Sequence, residues 1–171
     1  MLPKMIISDI DGVWTDGGMY YDELGNELKK FNTSDSAGVL FCKKANIPVA
    51  IITGENTKLV ERRISKLKIE YLFAGITDKL ECATRLSEEL NISLSDMAYI
   101  GDDINDIELL QKVGLSACPS NAPSYIKKIC HWNLEIKGGD GAFRAFVEKI
   151  LATNNLLVDV LHQFGYNELK K

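Results

Sequence analysis

Histidine is scarce in this chain, limited to His131 and His162, and neither has a metal-ligand partner at useful spacing. Both read as structural or exposed side chains. The cysteines, Cys42, Cys82, Cys118 and Cys130, are scattered without a CxxC pair, which excludes a zinc site of the usual spacing and a disulfide framework. No uninterrupted apolar run is long enough to span a bilayer. The opening MLPKMIISDID enters a strand at once and lacks a signal-peptide layout, so the expected setting is the cytoplasm, with no membrane partner. Basic residues are outnumbered, 20 Lys and Arg against 24 Asp and Glu for a net charge of −4, which argues against nucleic acid as a partner because that demands a basic face. An anionic substrate would need a local basic patch. There is no internal repeat and no low-complexity linker, and 171 residues with 46% hydrophobic content fit one domain spanning 1–171.

What is present centres on KMIISDIDGVWTD at 4–16. Met5-Ile6-Ile7 is an apolar, β-branched run that delivers Asp9 and Asp11 before Gly12 breaks it. Residues two apart on extended chain point to the same side. The two carboxylates therefore converge, and repel unless a cation or a shared proton neutralises them. A hard divalent ion such as Mg²⁺, which prefers oxygen ligands, meets that need. A calcium loop of the EF-hand kind would require a preceding helix and a closing Glu, whereas a strand-like run comes first.

Downstream, short apolar strands alternate with helices. A hairpin is expected over 17–31 around Gly25-Asn26, then a helix over 34–45 with Ser34 or Asp35 as N-cap. Strands at 48–52, 70–73, 97–100, 115–118 and 131–136 are separated by helices at 56–67, 79–90, 106–113 and 122–129. That alternation predicts an α/β, doubly wound parallel sheet. Ligands in such sheets bind beyond the carboxyl ends of the strands, so Asp9, Asp11, Thr53 and Asp102 are expected on one rim.

Four elements stand in order: DID at 9–11, ITG at 52–54, Lys79, and GDDIND at 101–106. Together they resemble the four motifs of the haloacid dehalogenase-like phosphatases. The resemblance implies that Asp9 attacks phosphorus, that Asp11 is general acid and then base, that Thr53 and Lys79 bind the transferring phosphoryl group, and that Mg²⁺ sits among Asp9, the Asp11 backbone carbonyl and Asp102. Asp103 and Asp106 are supporting or weak ligand candidates. A phospho-receiver module also uses acidic residues, a Thr or Ser and a Lys, but places its Lys last; here Lys79 precedes the second acidic cluster.

The intervals where many relatives insert a cap domain hold only the hairpin and helix, then a helix and strand. The short architecture, FNTSDSAG at 31–38 and GGDGAFR at 138–144 resemble the tetrameric phosphatases of 2-keto-3-deoxy sugar acid phosphates. By that resemblance a homotetramer is expected, its hairpins packed together and the 138–144 part of a 138–171 tail close to the neighbouring subunit's site. Substrate contacts are implied for Asp11, Thr33, Ser34, Asp35, Ser36, Ala37, Gly38, Thr53, Gly54, Glu55, Asn56, Arg63, Lys66, Lys79 and Asn105. Octulosonate enzymes commonly carry a DGYG-like segment and a basic residue after the second-motif Gly. Here Asp35-Ser36-Ala37-Gly38 and Glu55 stand instead, which points to KDN 9-phosphate as substrate, with Glu55 accepting from sugar hydroxyls or paired to Lys66; KDO 8-phosphate is the alternative. Ala145, where relatives often have Glu after the tail Arg, marks a departure in how that segment docks.

Overall fold

The computed structural model describes residues 2–167. A six-stranded parallel sheet runs in the order β5-β4-β1-β6-β7-β8, formed by β1 (Met5–Ser8), β4 (Val49–Ile52), β5 (Tyr71–Phe73), β6 (Met97–Ile100), β7 (Leu115–Cys118) and β8 (Trp132–Asn133). β2 (Tyr20–Tyr21) and β3 (Glu27–Leu28) form a separate antiparallel hairpin, with Tyr20 opposite Leu28. Every residue of β1, β4 and β6 is buried, as befits parallel strands covered on both faces.

Side-chain alternation sorts the core into two layers. Ile6 and Ile51 face α1 (Ser34–Lys44), α2 (Lys58–Leu67), α6 (Ala142–Thr153) and α7 (Leu157–His162), while Met5, Ile7, Ala50 and Tyr99 face α3 (Lys79–Leu90), α4 (Ile107–Lys112) and α5 (Ser124–Lys127). The fold is therefore doubly wound. Trp14 stacks on Phe143 at 4.5 Å between ring centroids and donates its indole N–H to Ser8 Oγ at 2.9 Å, so the loop after β1 is pinned to α6. Truncating a buried aromatic of this kind to alanine costs about 3–5 kcal/mol.

Helix boundaries follow local chemistry. Thr57 and Asp78 cap α2 and α3 by accepting from the Val60 and Glu81 amides, and Lys68 and Asn91 close them in left-handed conformation. At α1 neither expected cap residue acts: Thr33 holds the N-cap position without a side-chain bond, and Asn32 Oδ1 accepts from the Ser34 amide instead. The 138–171 tail is largely helical over its described part. It contains α6 and α7, and 138–144 docks on its own chain: Gly139 N–H donates to Val13 O at 3.0 Å, Gly138 N–H to Asn121 Oδ1 at 2.7 Å, and Arg144 N–H to Asp35 Oδ1 at 3.1 Å. A Cβ on Gly138 would lie 1.7 Å from Gly12 O, a close approach that only glycine permits. Arg144 pairs with a carboxylate one turn on, Glu148 at 2.8 Å. Cys42, Cys82 and Cys118 are buried and Cys130 half-buried, all as free thiols. Among the described residues no helix is long and apolar enough to cross a membrane.

Candidate active site

The three central strands β4, β1 and β6 end side by side, and their carboxyl ends carry Thr53, Asp9 and the 101–106 turn. One oxygen each from Asp9, Asp102 and Asp106 lies within 4.8 Å of the others. Lys79, at the first position of α3, is 1% exposed and sends its ammonium between two of them, 2.9 Å from Asp9 Oδ1 and 2.6 Å from Asp106 Oδ1. Burial alone would lower its pKa, but the charges of Asp9 and Asp106 outweigh that and hold it above the ordinary lysine value.

Asp106 behaves differently from its neighbours. Its Oδ1 accepts from Lys79 Nζ and Tyr99 Oη, and its Oδ2 from the amides of Asp102 at 2.8 Å and Asp103 at 3.0 Å. Four donors occupy the four lone-pair sites of a carboxylate, so Asp106 has none left for a metal. It orients Lys79 and shapes the 101–106 turn. Asp9 and Asp102 are the pair with capacity to spare. Burial, followed by the charge of Asp106, pushes the Asp9 carboxyl up, and burial with the charges of Asp9, Asp106 and Asp103 pushes Asp102 to about 8. Carboxylates held apart from water and against one another in this way suit a hard divalent cation. Gly12 makes room for them: a Cβ there would lie 1.9 Å from Asp102 Oδ2, and its φ is +75°.

Asp11 lies at the edge of this cluster, its carboxylate outside the trio. Its Oδ1 accepts from Thr15 Oγ1 at 3.2 Å and from Lys29 Nζ at 2.6 Å. Lys29 also reaches Glu55 Oε2 at 2.6 Å. Burial works to lower the Lys29 pKa, yet hydrogen bonds to Asp11 and Glu55 raise it above the ordinary value. Glu55 therefore pairs with Lys29 and not with Lys66, which is exposed. Thr53 is buried and accepts from the Glu55 amide at 3.4 Å. Gly54 faces Asn105, whose Nδ2 would be 3.7 Å from a Cβ at 54. Lys79, Ile104 and Asn105 line a cavity of about 350 Å³.

The other residues expected at the substrate have the following surroundings. Asp35 is fully buried with Oδ2 unpartnered; it braces α6 through the Arg144 amide, and burial raises its pKa to about 6. Gly38 is a helix crossing point, since a Cβ would meet Arg144 Cα at 3.0 Å, and Ala37 packs on the core beside it. Arg63 donates to Asn32 O at 2.9 Å and Ser36 Oγ at 3.0 Å and lies over the Phe31 ring, so its guanidinium and Ser36 are engaged with each other. Thr33 and Asn56 are exposed, and Ser34 is half-buried beside the Arg144 guanidinium at 3.5 Å. The sequence reading missed Lys29 and Tyr99. A lysine on a short hairpin reads as solvated, though strand alternation from exposed Leu28 would have turned it inward; a tyrosine in the apolar run MAYI reads as core.

A family model of haloacid dehalogenase-like hydrolases matches residues 72–146. The 3-deoxy-D-manno-octulosonate 8-phosphate phosphatase of Salmonella typhi is 38% identical over 154 residues, 90% of this chain and 82% of that protein. The chain belongs to the haloacid dehalogenase-like phosphatases. Two solved structures are similar across nearly the whole molecule. A probable YrbI family phosphatase from Pseudomonas syringae matches with a TM-score of 0.93 and 37% identity, over 98% of this chain and 95% of that one. The octulosonate phosphatase of Moraxella catarrhalis, solved with magnesium, phosphate and KDO, matches with a TM-score of 0.91 and 33% identity, over 95% and 93%. This phosphatase is accordingly a phosphoric monoester hydrolase.

Proposed function

We propose that this phosphatase hydrolyses the phosphate monoester of a 2-keto-3-deoxy sugar acid, and that KDO 8-phosphate is the preferred substrate. The observation that carries the reading is the chain-long likeness to octulosonate 8-phosphate phosphatases, joined to a buried Asp9–Lys79–Asp106 chain beside Asp102. KDN 9-phosphate, expected from the sequence, drew on the 35–38 segment and on Glu55, expected to accept from sugar hydroxyls or to pair with Lys66. With Glu55 on Lys29 instead, that argument loses its partner, and the relatives favour the eight-carbon acid.

The donor set fits Mg²⁺ held by the Asp9 and Asp102 carboxylates with the Asp11 carbonyl. Bound there, the ion supplies charge neutralisation for the transferring phosphoryl group. Asp9, its carboxylate oriented by Lys79, forms a bond to phosphorus as the ester P–O bond breaks, and Asp11 gives its proton to the departing sugar oxygen. Water then attacks the aspartyl-phosphate, Asp11 takes its proton, and the Asp9–phosphorus bond breaks to release phosphate. Lys79 and Thr53 bind the phosphoryl oxygens throughout. Assembly belongs to the same reading: a homotetramer in which the hairpins, whose Met19, Tyr21, Leu24 and Leu28 are exposed, pack together and a neighbouring subunit covers the open site.

Turnover of KDO 8-phosphate and KDN 9-phosphate, each with and without Mg²⁺, tests the assignment. A higher kcat/KM for KDO 8-phosphate is expected. A preference for the nine-carbon ester restores the KDN reading, and inactivity on both removes the sugar acid class.

A further inference from the structure

We propose that Lys29 is a positioning residue that sets the Asp11 carboxylate for proton transfer and so makes the chemistry depend on the hairpin. This rests on the acid role given to Asp11 above. Lys29 follows β3, where alternation turns Leu28 outward at 62% exposure and Lys29 inward, its side chain only 3% exposed. Its ammonium is 2.6 Å from Asp11 Oδ1 and 2.6 Å from Glu55 Oε2, with Glu27 at 3.8 Å. Three chain segments thus meet at one cation: the loop after β1, the loop after β4, and the hairpin.

The detail that matters is which oxygen is held. Both donors to the Asp11 carboxylate, Lys29 and Thr15, fall on Oδ1. Among the described residues none donates to Oδ2, which leaves it as the oxygen available to exchange a proton with the substrate. Two charge-assisted or hydroxyl bonds to a single oxygen fix the carboxylate plane, and a side chain about a third exposed would otherwise rotate among staggered positions. Without the cation, Asp11 and Glu55 face each other as like charges and separate. In the first half-reaction the Asp9 oxygen bonds to phosphorus, the P–O ester bond breaks, and the proton on Asp11 passes to the departing oxygen. A sugar alkoxide needs that proton; a nitrophenolate leaves without it.

The test is leaving-group dependence in Lys29→Met and Lys29→Arg, comparing kcat/KM for an alkyl phosphate, KDO 8-phosphate, with that for p-nitrophenyl phosphate. Lys29→Met should lose about 10–100-fold on the alkyl ester and under about threefold on the aryl ester, a ratio set by general-acid catalysis. Lys29→Arg should recover most of the alkyl rate, because a guanidinium can bridge both carboxylates. Lys29→Gln, polar but uncharged, serves as a second variant should Lys29→Met fail to fold, and should show the same selective loss to a smaller degree. Equal losses on both esters, no loss, or Arg no better than Met would overturn the proposal. Wild-type turnover of either ester reports on the phosphatase reading separately from the ratio between variants.

Discussion

At the scale of single residues, the site divides its carboxylates by what else each one touches. Asp9 has a lysine and spare lone pairs, Asp106 has four donors and none to spare, and Asp11 is held on one oxygen. Asp9→Asn should abolish turnover while thermal unfolding stays near wild type, since an amide is a poor nucleophile and metal ligand; an active Asp9→Asn enzyme would end the mechanism given above. Asp35 supplies a test of a different kind. Its pKa rises from 3.8 to about 6, chiefly through burial, so folding favours the protonated form. Its stabilising contribution is full below pH ~4 and is lost as pH rises through ~6; a shift of about two units corresponds to ~3 kcal/mol at ~1.4 kcal/mol per unit. Asp35→Asn should therefore melt higher than wild type at pH 8 by ~1–3 kcal/mol of stability, and close to it at pH 4. Unfolding curves with the same gap at both pH values would contradict this. The sequence made Asp9, Asp102 and Lys79 findable because strand-end position and motif order carry them. The contacts that Asp35 and Arg63 make with neighbouring segments were not legible, because a polar residue in a helix gives no sign, in sequence alone, of facing another helix.

At the scale of elements, the strands announced themselves and their junctions did not. MIIS, VAII and MAYI are apolar runs bounded by turn residues, and all three are strands. The sequence reading leaves 138–171 as a tail without assigning α6 or α7, although Phe143, Phe146, Val147 and Ile150 follow helical spacing and are buried. The turn after β1 depends on glycine for a reason visible only in three dimensions. Gly12→Ala places a methyl at the position of the Asp102 carboxylate, and should weaken Mg²⁺ activation by about 10–100-fold, the range for disturbed ligand orientation. Titration of activity against Mg²⁺ measures it, and an unchanged curve would remove Asp102 from the ligand set. The hairpin carries its own prediction. Leu24 is 88% exposed and Tyr21 64%, so the pair of changes Tyr21→Lys and Leu24→Lys should break a tetramer to smaller species in light scattering and lower kcat on the sugar acid ester. A wild-type monomer with full activity would refute the proposed assembly.

At the scale of the whole molecule, sequence order and spatial order diverge. β1 is first in the chain but lies in the middle of the sheet, paired with β4 on one side and β6 on the other. Its Ile6 needs Val49 as one neighbour and Ala98 as the other. During synthesis, then, β1 waits for both of its flanks, and β6 follows it by about ninety residues. Until then an apolar strand with open edges is available to other chains. Parallel pairings between distant segments also close slowly, because the loop entropy is spent before the contacts form. The arrangement that gathers the reactive groups of three strands onto one rim therefore keeps one edge of β1 open until β6, about ninety residues further along, has been made.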